Sequence, residues 1–353
     1  MVRETGPYNY NDTNRAFLQA FMGRSTMTFE EAKPVLAAIF SAHEKQPVSP
    51  EEITEDELQS YIATANNAIS PFDLEIRSTL PQIEVDPSQT TAVPPPERVY
   101  ALVNTTSDAL TQLATTYSAD EIAYVKRLLD AMFETHNTRR CEAMAVSGMQ
   151  ALQLAKVSGD GGSQQRRESG LQSQPTLTQG ATQQPDSQVV GGVVQSLTMS
   201  QAEALLKQLV EEGWFGKSPK GFYSLSPRGL IELRGWLVAT YNDEAEGIRK
   251  IKFCAACKDL ITAGQRCGDR DCLGRLHDHC MRHFFRSQQA EVCPVCKDTW
   301  PGDKFVGERA VTQADQELHA RRRRSSNTQR PSDAAEPSTQ LELAPVEEDE
   351  GSD

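Results

Sequence analysis

Seven of the eight cysteines in this 353-residue chain fall between Cys254 and Cys296. Together with one histidine they spell C-x2-C-x9-C-x4-C-x4-H-x2-C-x12-C-x2-C. Cys254, Cys257, Cys267, Cys272, His277, Cys280, Cys293 and Cys296 are eight ligands, the number that two tetrahedral zinc ions require. A C-x2-C pair turns both thiolates to one side of a tight loop. His277 and Cys280, three apart, share one face of a helical turn. Interleaved pairing is expected, with Cys254, Cys257, His277 and Cys280 on one ion and Cys267, Cys272, Cys293 and Cys296 on the other. Spacing alone leaves sequential pairing open.

The bland alternative is a disulfide framework. Seven cysteines cannot all pair, and the N-terminal stretch MVRETGPYNYNDTNR lacks the apolar core of a secretion signal. His279 and His283 compete with His277 as ligand. His279 adjoins Cys280, a poor geometry for sharing an ion, and His283 follows Cys280 and breaks the pair order; both read as residues of an ordinary exposed helix. Three thiolates around a dication leave a formal charge of −1, and four leave −2. Lys258, Arg266, Arg270, Arg275, Arg282, Arg286 and Lys297 lie close enough in sequence to offset it.

Around this motif the chain reads as mainly α with small β wings: tandem winged-helix domains followed by a two-zinc cross-brace RING-like domain. Residues 11–110 form the first winged helix. Asn14 to Arg24 carries Phe17, Leu18 and Phe21 at helical spacing, and capping boxes at Thr28/Glu31 and Thr54/Glu57 open two more helices. FDLEIR, with Phe72, Leu74 and Ile76 alternating, pairs with RVYALVN at 98–104 as the wing. Residues 111–155 are a helical segment, capped at Ser118/Glu121, that links or completes the winged helices. The lone Cys141 has no His/Asn partners nearby in sequence and reads as a structural thiol.

Residues 156–195, rich in Gly, Ser and Gln, read as a disordered linker or insertion. Residues 196–246 form the second winged-helix unit: a helix capped by Ser200 and Glu203 and ended by Gly213, a hairpin around GKSPKG, and a helix opened by Ser226–Pro227. With five Lys/Arg against seven Asp/Glu, this unit is poorly suited to neutralising phosphates, so protein docking is favoured and DNA contact is weak or indirect. The RING-like zinc domain spans 250–304. Residues 305–353 read as a disordered tail, containing the basic run Arg321–Arg324, a nuclear localisation signal or a solvated charge run, and an acidic end. A net charge of −13 with 38% hydrophobic residues agrees with such disorder. No apolar run approaches the ~18 residues of a membrane span.

Several stretches together resemble one family, non-SMC element 1, the RING-bearing subunit of the SMC five–six chromosome complex. They are NRAFLQAFM, VYALVNTTSDALTQLATTYSADEI, EALLKQLVEEGWF with GFYSLSPRGLIEL, and CPVCKDTWP. The resemblance covers most of residues 11–305. It implies two winged helices before a C4HC3 RING, with the same eight zinc ligands. It further implies MAGE-fold and kleisin partners, a nuclear, chromosome-associated role in DNA repair, and ubiquitin ligase activity.

A RING-type ligase forms no covalent bond to ubiquitin; it holds a charged ubiquitin-conjugating enzyme in a reactive orientation. Pro294 matches the usual C-P-x-C of the second RING loop. Ala256 stands where a large aliphatic is usual, and Lys297 where Arg is common, so these three residues are the expected conjugating-enzyme contacts. Phe284 or Phe285 either replaces the groove aromatic or packs between the zinc loops. A PHD-like histone reader shares the ligand order, but Glu291 stands where such fingers carry an aromatic. A non-catalytic docking subunit is the remaining alternative. As a module with little core of its own, the zinc domain is expected to unfold alone when a ligand is lost, leaving the winged helices intact.

Overall fold

Six α-helix starts among the described residues are written as reciprocal caps. Thr28 accepts from the N–H of Glu31 while the Glu31 carboxylate accepts from the N–H of Thr28; Thr54/Glu57 and Ser118/Glu121 repeat the arrangement. The computed structural model describes residues 10–82, 84, 96–106, 113, 116–157, 195–243 and 245–314. In its first unit, α1 (Asp12–Arg24), β1 (Thr26–Thr28), α2 (Phe29–Glu44) and α3 (Glu55–Ile69) precede β2 (Leu74–Thr79) and β3 (Val99–Asn104). The strands form an antiparallel sheet in the order β1-β3-β2. Phe17, Phe21, Leu36, Phe40, Leu58 and Tyr61 bury the inner faces of the three helices, with Ile76 and Tyr100 from the sheet. The Phe17 and Phe40 rings lie 5.6 and 5.5 Å from that of Tyr61, whose hydroxyl is 2.8 Å from that of Thr13.

The expected pairing of the strands around 74–79 and 99–104 is present. Two details differ from the sequence reading. Phe72 is 72% exposed and sits before the strand, and β1 adds a third strand too short to show alternation.

The second unit repeats the order of the first. Its α4 (Ala119–Asp130) runs into a π-helical turn at Ala131–Thr135, then come β4 (Val146–Ser147), α5 (Gly148–Gln153), α6 (Met199–Glu211), β5 (Phe215–Lys217) and β6 (Phe222–Leu225). The sheet order is β4-β6-β5. The segment 111–155 is therefore not helical throughout: residues 136–147 are extended or turn, and they bring β4 to the hairpin. The cap of α6 is Thr198 with Gln201, two residues before the expected Ser200, which lies in the first turn. Residues 158–194 of the expected linker lie outside the described residues.

The chain continues through α7 (Pro227–Glu232), α8 (Arg234–Tyr241) and a small hairpin, β7 (Asn242–Asp243) with β8 (Ile248–Arg249). The Cys-rich region holds β9 (Gly264–Arg266), β10 (Arg275–Leu276) and α9 (Asp278–Gln288), and β11 (Phe305–Val306) completes its sheet in the order β10-β9-β11. The boundary placed at 304 thus needs correction. Phe305 and Val306 pair with Gln265 and Gly264, and Val306 is fully buried. Residues 305–314 are structured, while 315–353 lie outside the described residues. No helix of the described residues is long and apolar enough to cross a membrane.

The Cys-rich region does not stand apart. Ile251, Leu260 and Val306 belong to the same buried cluster as Leu209, Leu237 and Tyr241 of the second unit. Burial of each such side chain contributes about 1.5–3 kcal/mol. The independence expected of a small zinc module therefore fails at the level of packing.

Gly229, in α7, shows how closely these layers approach. A Cβ there would lie 2.5 Å from the Trp214 carbonyl oxygen and 3.2 Å from the Leu225 side chain. Gly229→Ala should lower stability by about 1–3 kcal/mol despite the better helix propensity of alanine, measured by urea unfolding. An unchanged or raised midpoint would contradict the packing described.

Candidate metal centre

Two turns of near-identical design frame the centre. In CAACKD and CPVCKD the lysine after the second cysteine adopts a left-handed φ, 64° at Lys258 and 68° at Lys297. Each lysine N–H donates to the first cysteine's carbonyl, and each first-cysteine N–H donates to the following aspartate's carbonyl. The Lys258 amine donates to Ala255 O at 2.7 Å and that of Lys297 to Pro294 O at 3.1 Å. Each ammonium is thereby held over its own cysteine turn, with its charge intact. This internal repeat was visible in the sequence as C-x2-C-K-D, a signal the reading by ligand count passed over.

Cys254, Cys257, His277 and Cys280 come together, as do Cys267, Cys272, Cys293 and Cys296, each set with its donor atoms within 4.8 Å of one another. The pairing is interleaved. The Cys267–Cys296 and Cys272–Cys293 sulfur pairs are 3.5 and 3.6 Å apart. Sulfurs on a tetrahedral zinc with bonds of about 2.3 Å would be separated by about 3.8 Å, so the second cluster is close to the size the ion needs. In the first, His277 Nδ1 lies 3.3 Å from Cys257 Sγ and 3.9 Å from Cys280 Sγ. Its Nε2 faces the Leu260 carbonyl at 3.3 Å, which favours the tautomer with Nδ1 free to coordinate.

Electrostatics point the same way. Donation from Cys257 and Cys280 pushes the Cys254 thiol down, while Cys254 and Cys257 push Cys280 up. Burial works against charging the His277 ring, but Cys254 and Cys257 beside it raise it to about 9. Four ligands this close cannot all shed their protons unaided, and a divalent cation removes that conflict.

His279 stacks on His277 with ring centroids 5.0 Å apart and is half-buried, so it is not the exposed helix residue expected. His283 is exposed. Phe284 and Phe285 pack against the cysteine cluster, and Phe285 meets Trp300 edge-on at 5.7 Å; packing between the zinc loops is the arrangement observed. Ala256 and Pro294 are half-buried and Lys297 is exposed. Val295, between Pro294 and Cys296, is 54% exposed and was missed.

Arg275 is no surface counter-charge. It is wholly buried and donates from Nε and one terminal nitrogen to both carboxylate oxygens of Glu142, at 2.8 and 2.5 Å. Lys252 Nζ adds a third contact at 2.5 Å. Burial alone would raise the Glu142 carboxyl, but Arg275 and Lys252 override it and hold it below its ordinary range. From the first unit, Gln82 donates to Leu260 O at 2.7 Å and accepts from the N–H groups of Thr262 and Ala263.

The profile of the family described as the Nse1 non-SMC component of the SMC5-6 complex matches residues 14–233. The chain belongs to this family. A RING-like domain profile matches residues 254–296, and its two Cys/His clusters fit two zinc ions. The human non-structural maintenance of chromosomes element 1 homolog is 21% identical over 290 residues, 82% of this chain and 84% of the human protein. The Saccharomyces cerevisiae non-structural maintenance of chromosomes element 1 is 26% identical over 224 residues, 59% and 60% of the two chains. A chain of a solved Nse1-Nse3-Nse4 complex shares the fold, with a TM-score of 0.56 at 19% identity, covering 83% of this chain and 98% of that one.

Gly274 gives a direct test of the second cluster. A Cβ there would collide with Cys293 Sγ and press on Cys272 Sγ at 3.4 Å. Gly274→Ala should bring zinc content from two ions per chain to one by elemental analysis, whereas two tightly held ions would contradict the geometry.

Proposed function

We propose that this chain is the RING-type ubiquitin ligase subunit of an SMC five–six complex in the nucleus, acting in DNA repair. Cys254, Cys257, His277 and Cys280 hold one zinc ion and Cys267, Cys272, Cys293 and Cys296 the other. The two units built as helix, strand, helix, helix, strand, strand are winged helices, over about residues 11–110 and 111–246. They dock a MAGE-fold subunit and a kleisin subunit, and DNA is contacted weakly or indirectly. Similarity to the non-structural maintenance of chromosomes element 1 proteins and to a chain of the Nse1-Nse3-Nse4 complex supports the assembly.

The observation that carries the ligase reading is the interleaved eight-ligand cluster with a solvent-facing second turn. Pro294, the 54% exposed Val295 and Lys297 present a small apolar surface edged by a cation, with Ala256 on the equivalent first turn. Such a surface grips a conjugating enzyme and restricts its thioester-linked ubiquitin to reactive orientations, an entropic contribution to the rate. No cysteine of the two clusters is left as a nucleophile, in keeping with a non-covalent role. The small side chain at Ala256 favours a second reading, a non-catalytic docking subunit. Glu291, exposed beside the second turn, offers no aromatic wall for a histone tail.

Ubiquitin discharge from a charged conjugating enzyme, with and without the MAGE-fold partner, separates the two. Val295→Ser should remove about 1 kcal/mol of apolar contact and slow discharge several-fold. Ala256→Ile should speed discharge and Lys297→Ala should slow it, with zinc content unchanged. If the wild-type chain, zinc-loaded and partner-bound, does not accelerate discharge, the docking-subunit reading stands.

A further inference from the structure

The Arg275 guanidinium is shared between two parts of the chain 133 residues apart. Two of its nitrogens are held by the Glu142 carboxylate as a two-pronged fork. The third donates to the carbonyls of Cys272 and Gly274, both at 2.8 Å. That short loop carries one sulfur of the second cluster and steadies another: Gly274 O also accepts from Cys267 N at 2.9 Å, and Gly274 N donates to Cys272 Sγ at 3.3 Å. Glu142 belongs to the second unit. It bridges Asn137 across a tight turn, and its own carbonyl accepts from Gly307 N at 2.8 Å.

Charge makes Glu142 more than a steric anchor. Arg275, Arg266 and Lys252 crowd one region, with Arg275 0% and Arg266 6% exposed. Three cations cannot stay together out of water without an anion among them, and Glu142 is the carboxylate that touches two of them. Removing its charge makes it favourable for Arg275 to leave, and with Arg275 go the hydrogen bonds that fix the Cys272–Gly274 loop. Among the described residues the Arg275 side chain has no hydrogen bond to Cys254, Cys257, His277 or Cys280; its tie to the first turn is by backbone, the Arg275 carbonyl accepting from Ala255 N at 2.8 Å, which loss of the side chain leaves available.

We propose that Glu142 is a positioning residue for the second metal site: through Arg275 it holds the Cys272–Gly274 loop in coordinating geometry and slows metal loss from Cys267, Cys272, Cys293 and Cys296 selectively. The inference rests on the ligand assignment above. Outer partners of metal ligands change affinity by roughly 10- to 100-fold in other proteins.

The test uses the full chain loaded with cobalt, whose ligand-field bands distinguish a four-sulfur site from a three-sulfur, one-nitrogen site. Chelator is added and each band is followed in time. Glu142→Gln should speed loss from the four-sulfur site by at least about tenfold and leave the other within about twofold. The double variant Glu142→Leu/Arg275→Met removes the buried Glu142–Arg275 pair while keeping bulk and leaves only Arg266 and the partly exposed Lys252 as neighbouring cations, and its fold is checked by circular dichroism. Methionine cannot donate to the Cys272 and Gly274 carbonyls, so fast loss from the four-sulfur site should persist there. Restoration of slow loss in the double variant would overturn the proposal, since burial of charge alone would then explain the single variant. Equal acceleration at both sites, or none at either, would also overturn it. A wild-type chain that binds fewer than two cobalt ions would sink the ligand assignment together with the proposal.

Discussion

The architecture turns on a buried carboxylate–guanidinium pair, Glu142 with Arg275, both almost wholly removed from solvent. Taking two charges out of water is costly, and attraction between them returns that cost only when geometry is good and the remaining donors are satisfied. Here the fork is two-pronged and the third guanidinium nitrogen has two carbonyl acceptors. Breaking one side of such a pair typically costs about 3–5 kcal/mol, because the other charge is left stranded. The pair sits where the second unit, the cysteine loops and the returning Gly307 backbone converge.

Around that pair the zinc region is fastened from three directions. Leu260 and Val306 enter the hydrophobic cluster of the second unit, Gln82 reaches over from the first, and Arg309 pairs with Asp278 at the start of α9. His277 of the first cluster and the Gln82 amide both address the Leu260 carbonyl, so that cluster also has a partner outside the cysteine turns. Under the proposed ligase function, the angle at which the zinc region is held relative to the two helical units would set how a conjugating enzyme is presented. A domain welded to its neighbours transmits that angle; a domain on a tether does not.

The sequence carried the local chemistry well and the long-range chemistry poorly. Caps such as Thr28/Glu31 and Ser118/Glu121, the Gly213 stop and the Ser226–Pro227 start are contained within a few residues, so they could be read directly. The cysteine spacing left two pairings open, and the folded loops show the interleaved one. Strands of two or three residues, such as β1, β4 and β11, are too short to display alternation and were passed over. Arg275 looked like one of seven interchangeable cations near an anionic cluster. Only its distance from Glu142 in space, unrelated to their separation in sequence, reveals it as a buried structural link. The same limitation produced the expectation of an independent zinc module, since nothing local announces that Ile251 and Val306 pack with Leu237 and Tyr241.

The zinc region and the second unit share one buried cluster and should fold as one body. Amide hydrogen exchange of the full chain, before and after both ions are stripped by a chelator, tests it most directly. On stripping, α8, Arg234–Tyr241, should lose protection together with residues 254–296, while α3, Glu55–Ile69, in the first unit should retain it. Full protection of α8 in the stripped chain would contradict the claim and restore the zinc region to the status of a separate module.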